Sequence, residues 1–431
     1  MRVVGDERDG VSVARVLRGI GVVSATANNA AAPALHEHLS RCASAAPDYL
    51  SFDGGKIPRF TAEFWTAKQR QGNPIHEVSY RACFKAQLPG FFIGLLSAEG
   101  DVIYDPFAGR GTTAVEAALN GRIPVSNDVN PLSEVLARPR IEPPSLDEVQ
   151  QRLLEYPAPQ RAADAGLSMF YHPDTEAEIL ALRDELQSRR ARGAEDATDR
   201  WIRMVATNRL SGHSPGFFSV YTLPPNQAAS RDGQVRINRK RRQAPPYRNV
   251  RDLIARKSRQ LLSGLDAPRR EAMRRRARHA VFIAADACET PQIPDASVAL
   301  TVTSPPFLDT VQYAKDNWLR CWFNGIDAAA IERNAALARD VGAWQCAMTK
   351  VFRELHRVTR PGGWVAFEVG EVRNGRICLE EHVLPAGTAS GFRCTAVMIN
   401  RQQFTKTSNI WGVGNNCGGT NTNRIVLFRK D

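Results

Sequence analysis

The apolar positions of this chain become regular after residue 55, where patterns of buried strands alternate with helical patterns. The run at 101–105 (DVIYD) predicts a strand, and residues 112–120 (TTAVEAALN) predict a helix that ends at Gly121. The sequence IPVSND then predicts a second strand, which closes on Asp128. A strand, a helix and a strand in this order are typical of a βαβ unit with a parallel sheet.

The same alternation returns after residue 279. AVFIAAD and SVALTVT predict two strands, and WVAFEVG and residues 424–428 predict two more. Between them, apolar residues recur at helical spacing and predict a helix at 343–358; they are Met348, Val351, Phe352, Leu355 and Val358. The pattern predicts an α/β fold, a doubly wound Rossmann-like sheet formed by the parts of the chain on both sides of an intervening segment.

That intervening segment has a different pattern, with charged helices predicted at 174–190 and 199–210 and irregular stretches rich in Pro and Gly. We interpret it as a helical, basic insertion with its own small structure. Residues before about 50 are expected to be poorly structured or loosely attached. The predicted division is an N-terminal extension (1–54), a first part of the α/β domain (55–142), the insertion (143–279) and a second part of the α/β domain (280–431).

Composition limits the class of protein. The 431 residues are 43% hydrophobic and 24% charged, as in globular proteins of two or three structural units. The charge-free apolar stretch at 86–98 is shorter than the ~20 residues that span a bilayer. Acids at positions 6, 7 and 9 do not fit a signal peptide. The eight scattered cysteines include no Cys-x-x-Cys pair. We therefore expect a cytoplasmic protein with reduced thiols and no membrane partner.

Positive charge is concentrated in one segment. Between residues 236 and 278, sixteen lysines and arginines stand against three acids, so this segment carries +13 while the whole chain has a formal net charge of +12. A solvated arginine-rich surface is one interpretation. The concentration favours a strip that binds nucleic acid phosphates without reading sequence. The candidate nucleic-acid-binding residues are Arg236, Arg239, Lys240, Arg241 and Arg242.

The first motif with chemical content is DPFAGRGTT, at the end of the first predicted strand. An acid followed by a turn with two glycines brings backbone amides and a helix N-terminus close to an anionic or zwitterionic ligand. Asp128 follows the next strand, where an acid would hold a ribose diol. No Gly-Lys-Ser/Thr sequence is present, which disfavours a P-loop. The candidate ligand-binding residues of this turn are Asp105, Pro106, Phe107, Gly109, Gly111, Thr112 and Thr113.

The second motif is TSPPF, also at the end of an apolar strand. Two prolines fix the backbone and remove two donors, which leaves carbonyl oxygens as acceptors. A serine adds an oxygen and a phenylalanine adds a stacking face, so the motif suits a planar heterocycle with an exocyclic amino group. The candidate catalytic residues are Thr303, Ser304, Pro305, Pro306 and Phe307.

Together these motifs resemble the S-adenosylmethionine-dependent amino-methyltransferases that methylate cytosine N4 or adenine N6 in DNA. DPFAGRGTT resembles their cofactor motif and TSPPF their catalytic tetrapeptide, in the form typical of cytosine-N4 enzymes. NDVNPL (127–132) resembles the segment whose acid binds the cofactor ribose, and AADA (284–287) the segment whose acid, here Asp286, lies near the adenine. IHEVSYRACFKAQLP (75–89) resembles the segment that packs over the methionine end. RVTRPGGWVAF (357–367) resembles a late helix, turn and strand.

The resemblance implies S-adenosylmethionine as cofactor, double-stranded DNA as partner and direct attack of a flipped base's amino nitrogen on the cofactor methyl. No Pro-Cys dipeptide occurs, which disfavours carbon-5 methylation. The cofactor motif precedes the catalytic motif, the commonest order among adenine-N6 enzymes, whereas Ser-Pro-Pro indicates cytosine; we favour cytosine because the tetrapeptide contacts the base. Phe307 replaces a commoner tyrosine. An RNA base methyltransferase and a non-catalytic binding module are the alternatives. Whether a cognate restriction endonuclease accompanies the protein is left open.

Overall fold

A computed structural model describes residues 31–431 except 44, 66–71, 82, 160–162, 164, 226, 307–312, 330, 332–339, 373–376 and 402–421. Within this part of the chain, nine strands form one sheet and two short strands form a second. In chain order the strands are β1 (Asp48–Phe52), β2 (Gly55–Ala62), β3 (Val102–Asp105), β4 (Ile123–Asn127), β5 (Val281–Ile283), β6 (Val298–Thr303), β7 (Thr359–Val369), β8 (Glu371–Val372), β9 (Ile377–Cys378), β10 (Arg393–Arg401) and β11 (Thr422–Arg429).

The main sheet has the order β1-β2-β10-β11-β7-β6-β3-β4-β5. The five strands from β7 to β5 run parallel. From β3 the chain moves outward through β4 to β5, then returns to β6 on the other side of β3 and continues to β7. The order therefore reverses between β3 and β6, and such a switch point opens a crevice at the carboxyl ends of the strands. The predicted doubly wound α/β fold is confirmed.

Thirteen helices in the described residues surround or extend this sheet: α1 (Ala31–Cys42), α2 (Gln87–Leu96), α3 (Thr112–Leu119), α4 (Leu132–Ile141), α5 (Leu146–Glu155), α6 (Pro173–Ala191), α7 (Ala197–Arg209), α8 (Arg231–Arg241), α9 (Val250–Leu262), α10 (Ala267–Ala277), α11 (Tyr313–Asn324), α12 (Val341–Val358) and α13 (Glu380–Thr388).

Both faces of the parallel strands are covered, which is why β6 is apolar along its length and buried at each of its six positions. On one face α12 and α13 pack on the sheet, with the Phe352 ring 4.7 Å from that of Phe367. On the other face α1 and α2 contribute the apolar side chains. The helices α5 to α7, α9 and α10 share a further core with α3 and α4, so the insertion packs directly against the helix that begins at the glycine-rich turn.

The amino-terminal part differs from the expected loose attachment. Leu35 and Leu39 of α1 are fully buried, and β2 pairs in parallel with β10. The spacing of the two leucines places them on one helix face, which is sufficient for α1 to dock. Residues 48–62 therefore extend the sheet, while the structure of the first 30 residues lies outside the description.

Two other differences concern strands. β7 begins at Thr359, before the Pro361-Gly362-Gly363 sequence that was expected to separate helix from strand. β10 was not predicted, although eight of its nine residues pair with β11. Among the described residues no helix is long and apolar enough to cross a membrane. The seven described cysteines are free thiols, and no group of metal-ligating side chains occurs in the same residues.

Candidate active site

The two sequence motifs meet where β3 and β6 end. Tyr104 of β3 pairs with Thr301 of β6, so the ends of the two strands lie side by side. The Thr303 hydroxyl donates a 2.6 Å hydrogen bond to Oδ1 of Asp105, across 198 residues of chain. Both residues are buried. The candidate ligand-binding turn and the candidate catalytic tetrapeptide therefore form one site, at the switch point of the sheet.

The turn after β3 depends on two glycines. Gly111 precedes α3 with a φ of +76°, and a Cβ there would lie 2.3 Å from Cβ of Ala137. Gly109 has a φ of +53°, and a Cβ there would stand 3.6 Å from the Tyr80 ring. Only glycine satisfies both the left-handed backbone and the close contact at residue 111. The turn therefore lets α3 begin close to the end of β3, with its positive N-terminus at the carboxyl edge.

Asp105 has one satisfied and one unsatisfied carboxylate oxygen. Oδ1 accepts from the Thr303 hydroxyl and, at 3.1 Å, from the Phe107 amide. Oδ2 is buried and has no hydrogen-bond partner among the described residues. Burial raises the pKa of Asp105 to about 6. A buried carboxylate oxygen without a donor suits a cationic or N–H-bearing ligand group.

Asp128 lies directly after β4 and is hydrogen-bonded to the glycine turn. Its Oδ2 accepts a 2.8 Å hydrogen bond from the Gly109 amide, and its Oδ1 accepts a 2.9 Å bond from the Asn130 amide. Burial raises the pKa of Asp128 to about 6 as well. Since each carboxylate oxygen has further acceptor capacity, Asp128 can bind hydroxyl donors while it holds the glycine turn.

Asp286 is placed at the same edge by Asn127. The Asn127 amide donates to the Ala285 carbonyl at 3.0 Å and accepts from the Ala285 amide at 3.1 Å. Asp286 itself is exposed and accepts from the Cys288 amide at 2.9 Å. The sequence reasoning did not single out Asn127, although a buried amide at the end of an apolar strand was a signal that it organises the turns around it.

The other predicted residues of the turn have structural contacts. The Thr113 hydroxyl donates to the Val302 carbonyl at 3.1 Å and so holds α3 to β6. Thr112 is buried, and its Oγ1 accepts from Nε of Arg110 at 3.1 Å. Pro106 is buried, and its carbonyl accepts from the Asn127 amide at 3.3 Å. These contacts fix the turn that the sequence predicted to bind a ligand.

The first three residues of the tetrapeptide, Ser304 to Pro306, lie at this site. Ser304 is half-buried and hydrogen-bonded to Glu368. The Pro306 carbonyl accepts a 3.0 Å hydrogen bond from the Trp344 indole, so this oxygen is already engaged. Pro305 is buried, and its carbonyl remains the candidate base acceptor. Phe307 lies outside the described residues.

Glu368 is a second polar residue of the site that sequence reasoning missed. It lies near the end of β7 with 6% of its surface exposed. Its Oε1 accepts a 2.8 Å hydrogen bond from the Asn423 amide of β11. Burial raises the pKa of Glu368 above its ordinary value, against the hydrogen bonds from Ser304 and Asn423. A single acid within the apolar run WVAFEVG was the available signal, because a buried carboxylate needs a reason to be there.

The segment 75–89 contacts the glycine turn. Besides the Tyr80 ring at Gly109, the Arg110 guanidinium donates to the Val78 carbonyl at 2.8 Å and to the Phe84 carbonyl at 3.3 Å. The segment also reaches the element after the tetrapeptide, since Nη1 of Arg81 lies 2.6 Å from a carboxylate oxygen of Asp316 in α11.

The candidate DNA-binding residues lie on α8 and at its end. Arg236, Arg239, Lys240, Arg241 and Arg242 are exposed, and none forms an ion pair within the described part of the chain. The Arg241 guanidinium stands 3.7 Å from the centroid of the Tyr221 ring.

The start of α8 is attached beside α11. Ala228, shortly before α8, donates its amide to the Asp316 carbonyl at 3.0 Å. The Trp318 indole donates to the Ala229 carbonyl at 3.0 Å. The basic helix is therefore attached to α11, the first described element after the tetrapeptide.

The basic segment is not one continuous strip. Arg248 is half-buried, and its guanidinium donates to three carbonyls, those of Ser214, Phe217 and Ser219. Lys257 is buried beside Glu77, 3.6 Å away, and burial lowers its pKa to about 8. The positive charges of this segment after residue 262 lie on α10, which packs against α3 and α4, and at Arg278 directly after it. Exposed positive charge therefore occurs on α8, on α9 at Arg256 and Arg259, and on and after α10.

Comparison with known proteins finds a family match for one part of the chain. Residues 55–131 match the family model N6_N4_Mtase, described as DNA methylase. This match confirms the resemblance found in the sequence motifs of this part. No curated protein sequence matches the chain.

Among solved structures, TrmN from Thermus thermophilus is 12% identical with a TM-score of 0.32, over 81% of this chain and 50% of that chain. A TehB-like S-adenosylmethionine-dependent methyltransferase from Corynebacterium glutamicum is 8% identical with a TM-score of 0.29, and the match covers 80% of this chain and 87% of that chain. Another Thermus thermophilus protein, TTHA0409, crystallised with S-adenosyl-L-methionine, is 24% identical with a TM-score of 0.21. That match covers 32% of this chain and 49% of that chain. The chain thus spans about half the length of TrmN.

Proposed function

Since residues 55–131 match the DNA methylase family, we propose that the protein transfers a methyl group from S-adenosylmethionine to the exocyclic amino group of a base in double-stranded DNA. The observation that carries the proposal is the hydrogen bond from Thr303 to Asp105, which joins the candidate base site to the candidate cofactor turn. The favoured product is N4-methylcytosine, and N6-methyladenine is the alternative.

The residues at the turn fit the cofactor. The unsatisfied Oδ2 of Asp105 would hold the ammonium group of its methionine part, and Asp128 would hold the ribose diol. Asp286, tied to the same edge through Asn127, would lie near the adenine. When bound, the cofactor supplies an electrophilic methyl group on a sulfonium.

Ser304 and Glu368 would activate the amino nitrogen of the base. An exocyclic amino nitrogen is a weak nucleophile because its lone pair is delocalised into the ring. Ser304 Oγ and the Pro305 carbonyl would accept its two N–H hydrogens and orient the lone pair. The Ser304 hydroxyl is bonded to the buried Glu368 carboxylate. The negative charge of that carboxylate would stabilise the positive charge that develops on the amino nitrogen as its bond to the methyl carbon forms and the bond from that carbon to sulfur breaks, before the nitrogen releases one proton to solvent.

Ser304 also supports cytosine over adenine. The first residue of the tetrapeptide contacts the amino group, whereas the order of the motifs along the chain does not. The exposed basic residues of α8 would hold the DNA backbone near the catalytic loop, in the cytoplasm, and nothing in this proposal depends on a cognate restriction endonuclease.

The test is to identify the modified nucleoside. The protein is incubated with methyl-labelled S-adenosylmethionine and either unmethylated genomic DNA or total RNA, followed by digestion and chromatography. N4-methylcytosine in DNA supports the proposal, and N6-methyladenine in DNA changes the base. Label in RNA alone overturns the DNA substrate. Cofactor binding without label in either polymer identifies a binding module.

Cofactor affinity should fall as the pH drops through 6. Asp105 and Asp128 have pKa values of about 6 in the folded protein, so both lose below that pH the charge that attracts cofactor donors. Because each carboxylate must lose its proton before it binds the cofactor, the Kd should rise about tenfold per carboxylate for each pH unit below 6. Isothermal titration calorimetry from pH 7.5 to 5 measures this dependence.

The matched control is Asp128→Asn, in which only the contribution of Asp105 remains and the pH dependence is halved. Because burial raises both pKa values, protonation of these two groups favours the folded state, and the stability they contribute is lost as the pH rises through 6. Their titration therefore does not unfold the protein at pH 5. A constant Kd over this range would contradict the assigned contacts.

Neutralising the basic end of α8 should weaken DNA binding at all sequences. Replacement of Arg239, Lys240, Arg241 and Arg242 with glutamine removes four exposed charges. We expect the slope of log K against log salt to become shallower by about three to four, because each phosphate contact contributes about 0.9. Fluorescence anisotropy with a labelled duplex at several salt concentrations measures the slope.

The control variant neutralises four exposed arginines that lie outside α8, so the change in net charge is equal; they are Arg190, Arg256, Arg259 and Arg278. This variant should keep most of the wild-type salt slope. Equal losses in the two variants would show that net charge, rather than α8, determines DNA binding.

A further inference from the structure

A second group of basic residues surrounds a cavity far from the methyl-transfer site. The cavity has a volume of about 390 Å³ and lies between α10 and the end of α3. Arg269, Arg275, Arg276 and His279 contribute to its lining, and Glu99 is its single acid. None of these residues belongs to a motif that the proposed function uses.

The cavity lies at the opposite edge of the sheet from the active site. Gly121, in its lining, comes just before β4 begins, whereas Asp128 comes just after β4 ends. A five-residue strand at ~3.3 Å per residue separates these positions by about 16 Å. A ligand here would therefore contact neither the cofactor turn nor the tetrapeptide.

The lining keeps a surplus of positive charge. Arg276 lies 2.5 Å from Glu99, which offsets one arginine. Arg275 lies 3.5 Å from Glu271, with both side chains more than half exposed, and such a pair holds its partners weakly. The exposed Arg269 has no acidic partner among the described residues. Two guanidinium groups thus remain for an anion, and their planar donors match a phosphoryl group.

The shape of the cavity depends on one small residue. Arg269, Ala272 and Arg276 are spaced at i, i+3 and i+7 and so share one face of α10, with Ala272 between the two arginines. Ala118 and Leu119 of α3 and the buried Met273 add apolar lining. A methyl group at residue 272 leaves space that a longer side chain would fill.

We propose that this cavity binds a small phosphorylated anion of about nucleotide size. Its volume falls in the range of about 300–1,000 Å³ that is typical of small-molecule sites. Phosphoryl groups occur both in small molecules and in the DNA backbone. The recessed position between two helices, open to solvent on one side, favours a small molecule, because a duplex reaches exposed helix faces more readily than a recess.

Calorimetric titration of the full chain with pyrophosphate and, separately, ATP tests the proposal without methyl transfer. We expect saturable binding at one site, and at least tenfold weaker binding in the double variant Arg269→Ala/Arg275→Ala. Ala272→Leu, which fills the cavity but leaves the charges, should weaken binding to a similar degree. Arg278→Ala is the matched control, since Arg278 is exposed next to α10 but does not line the cavity, and it should bind within twofold of wild type.

Absence of saturable binding, or equal losses in Arg278→Ala and the double variant, would overturn the proposal. Titration with a short DNA duplex distinguishes the two sources of phosphate. If the double variant loses duplex affinity while neither small anion binds the wild type, the surface belongs to a DNA interface and the small-molecule site is wrong. Thermal melting of each variant checks that it is folded. Because no arm measures methylation, failure here leaves the proposed function untouched.

Discussion

Replacing Ser304 with alanine is expected to lower kcat for methyl transfer by about 100-fold or more while the Kd for S-adenosylmethionine stays within about threefold. Ser304 is bonded to Glu368 and lies next to Thr303, which contacts Asp105. It would bind the amino group of the base and not the cofactor. Loss of one preorganised hydrogen-bonding group at a reacting centre commonly costs about 10² to 10³ in rate. Single-turnover methylation and calorimetry measure the two quantities on the same preparation.

Asp128→Ala is the matched variant with the opposite expectation. It removes the acceptor for the ribose hydroxyls, a loss of about 2 kcal/mol, so the Kd should rise by about 30-fold. At saturating cofactor kcat should change much less. Because Asp128 also accepts from the amides of Gly109 and Asn130, Asp128→Asn, which keeps an acceptor oxygen, separates charge from turn geometry. Equal losses of rate and affinity in the serine and aspartate variants would contradict both roles.

The sequence predicted the central part of the fold because its strands are buried on both faces. β3, β4 and β6 are short apolar runs that end in polar residues, and α12 has apolar positions at regular helical spacing. Such patterns follow directly from the environment of each residue in a doubly wound sheet. Asp105 and Thr303 could therefore be placed at neighbouring strand ends from the sequence, before any contact between them was known.

The missed elements depend on contacts distant in the chain. β2 has mixed burial, and its ladder to β10 joins residues more than 300 positions apart. The +13 of the basic segment is likewise a property of the sequence, whereas its distribution over α8, α9 and α10 is set by packing. Arg248 illustrates the point, since three backbone carbonyls use its donors in the interior of the insertion. No pattern within one segment reveals which lysines and arginines will be buried and hydrogen-bonded in the folded protein rather than exposed.

Glu368 is expected to be the second residue on which turnover depends. Replacing it with glutamine preserves its size but removes the negative charge behind Ser304. An amide can also donate to the Ser304 oxygen and so occupy the acceptor that the base requires. We expect kcat to fall by about 100-fold with little change in cofactor Kd. The pH profile of kcat should also lose an acidic limb, because burial raises the pKa of the wild-type Glu368 carboxyl above its ordinary value and glutamine does not titrate.

If the role of Glu368 is structural rather than catalytic, the expected results differ, and a melting experiment distinguishes the two roles. Burial of a carboxylate destabilises the folded state, so Glu368→Gln should melt at the same temperature as wild type or higher. Asn423→Ala removes the 2.8 Å hydrogen bond to Glu368 but leaves the charge, and it should lower kcat by less than Glu368→Gln does. A glutamine variant that melts lower and keeps its kcat would mean that the carboxylate holds β7 to β11. A variant that melts as well as wild type and fails to turn over places the negative charge in the chemistry, because packing is then unchanged and only the stabilisation of the amino nitrogen is lost.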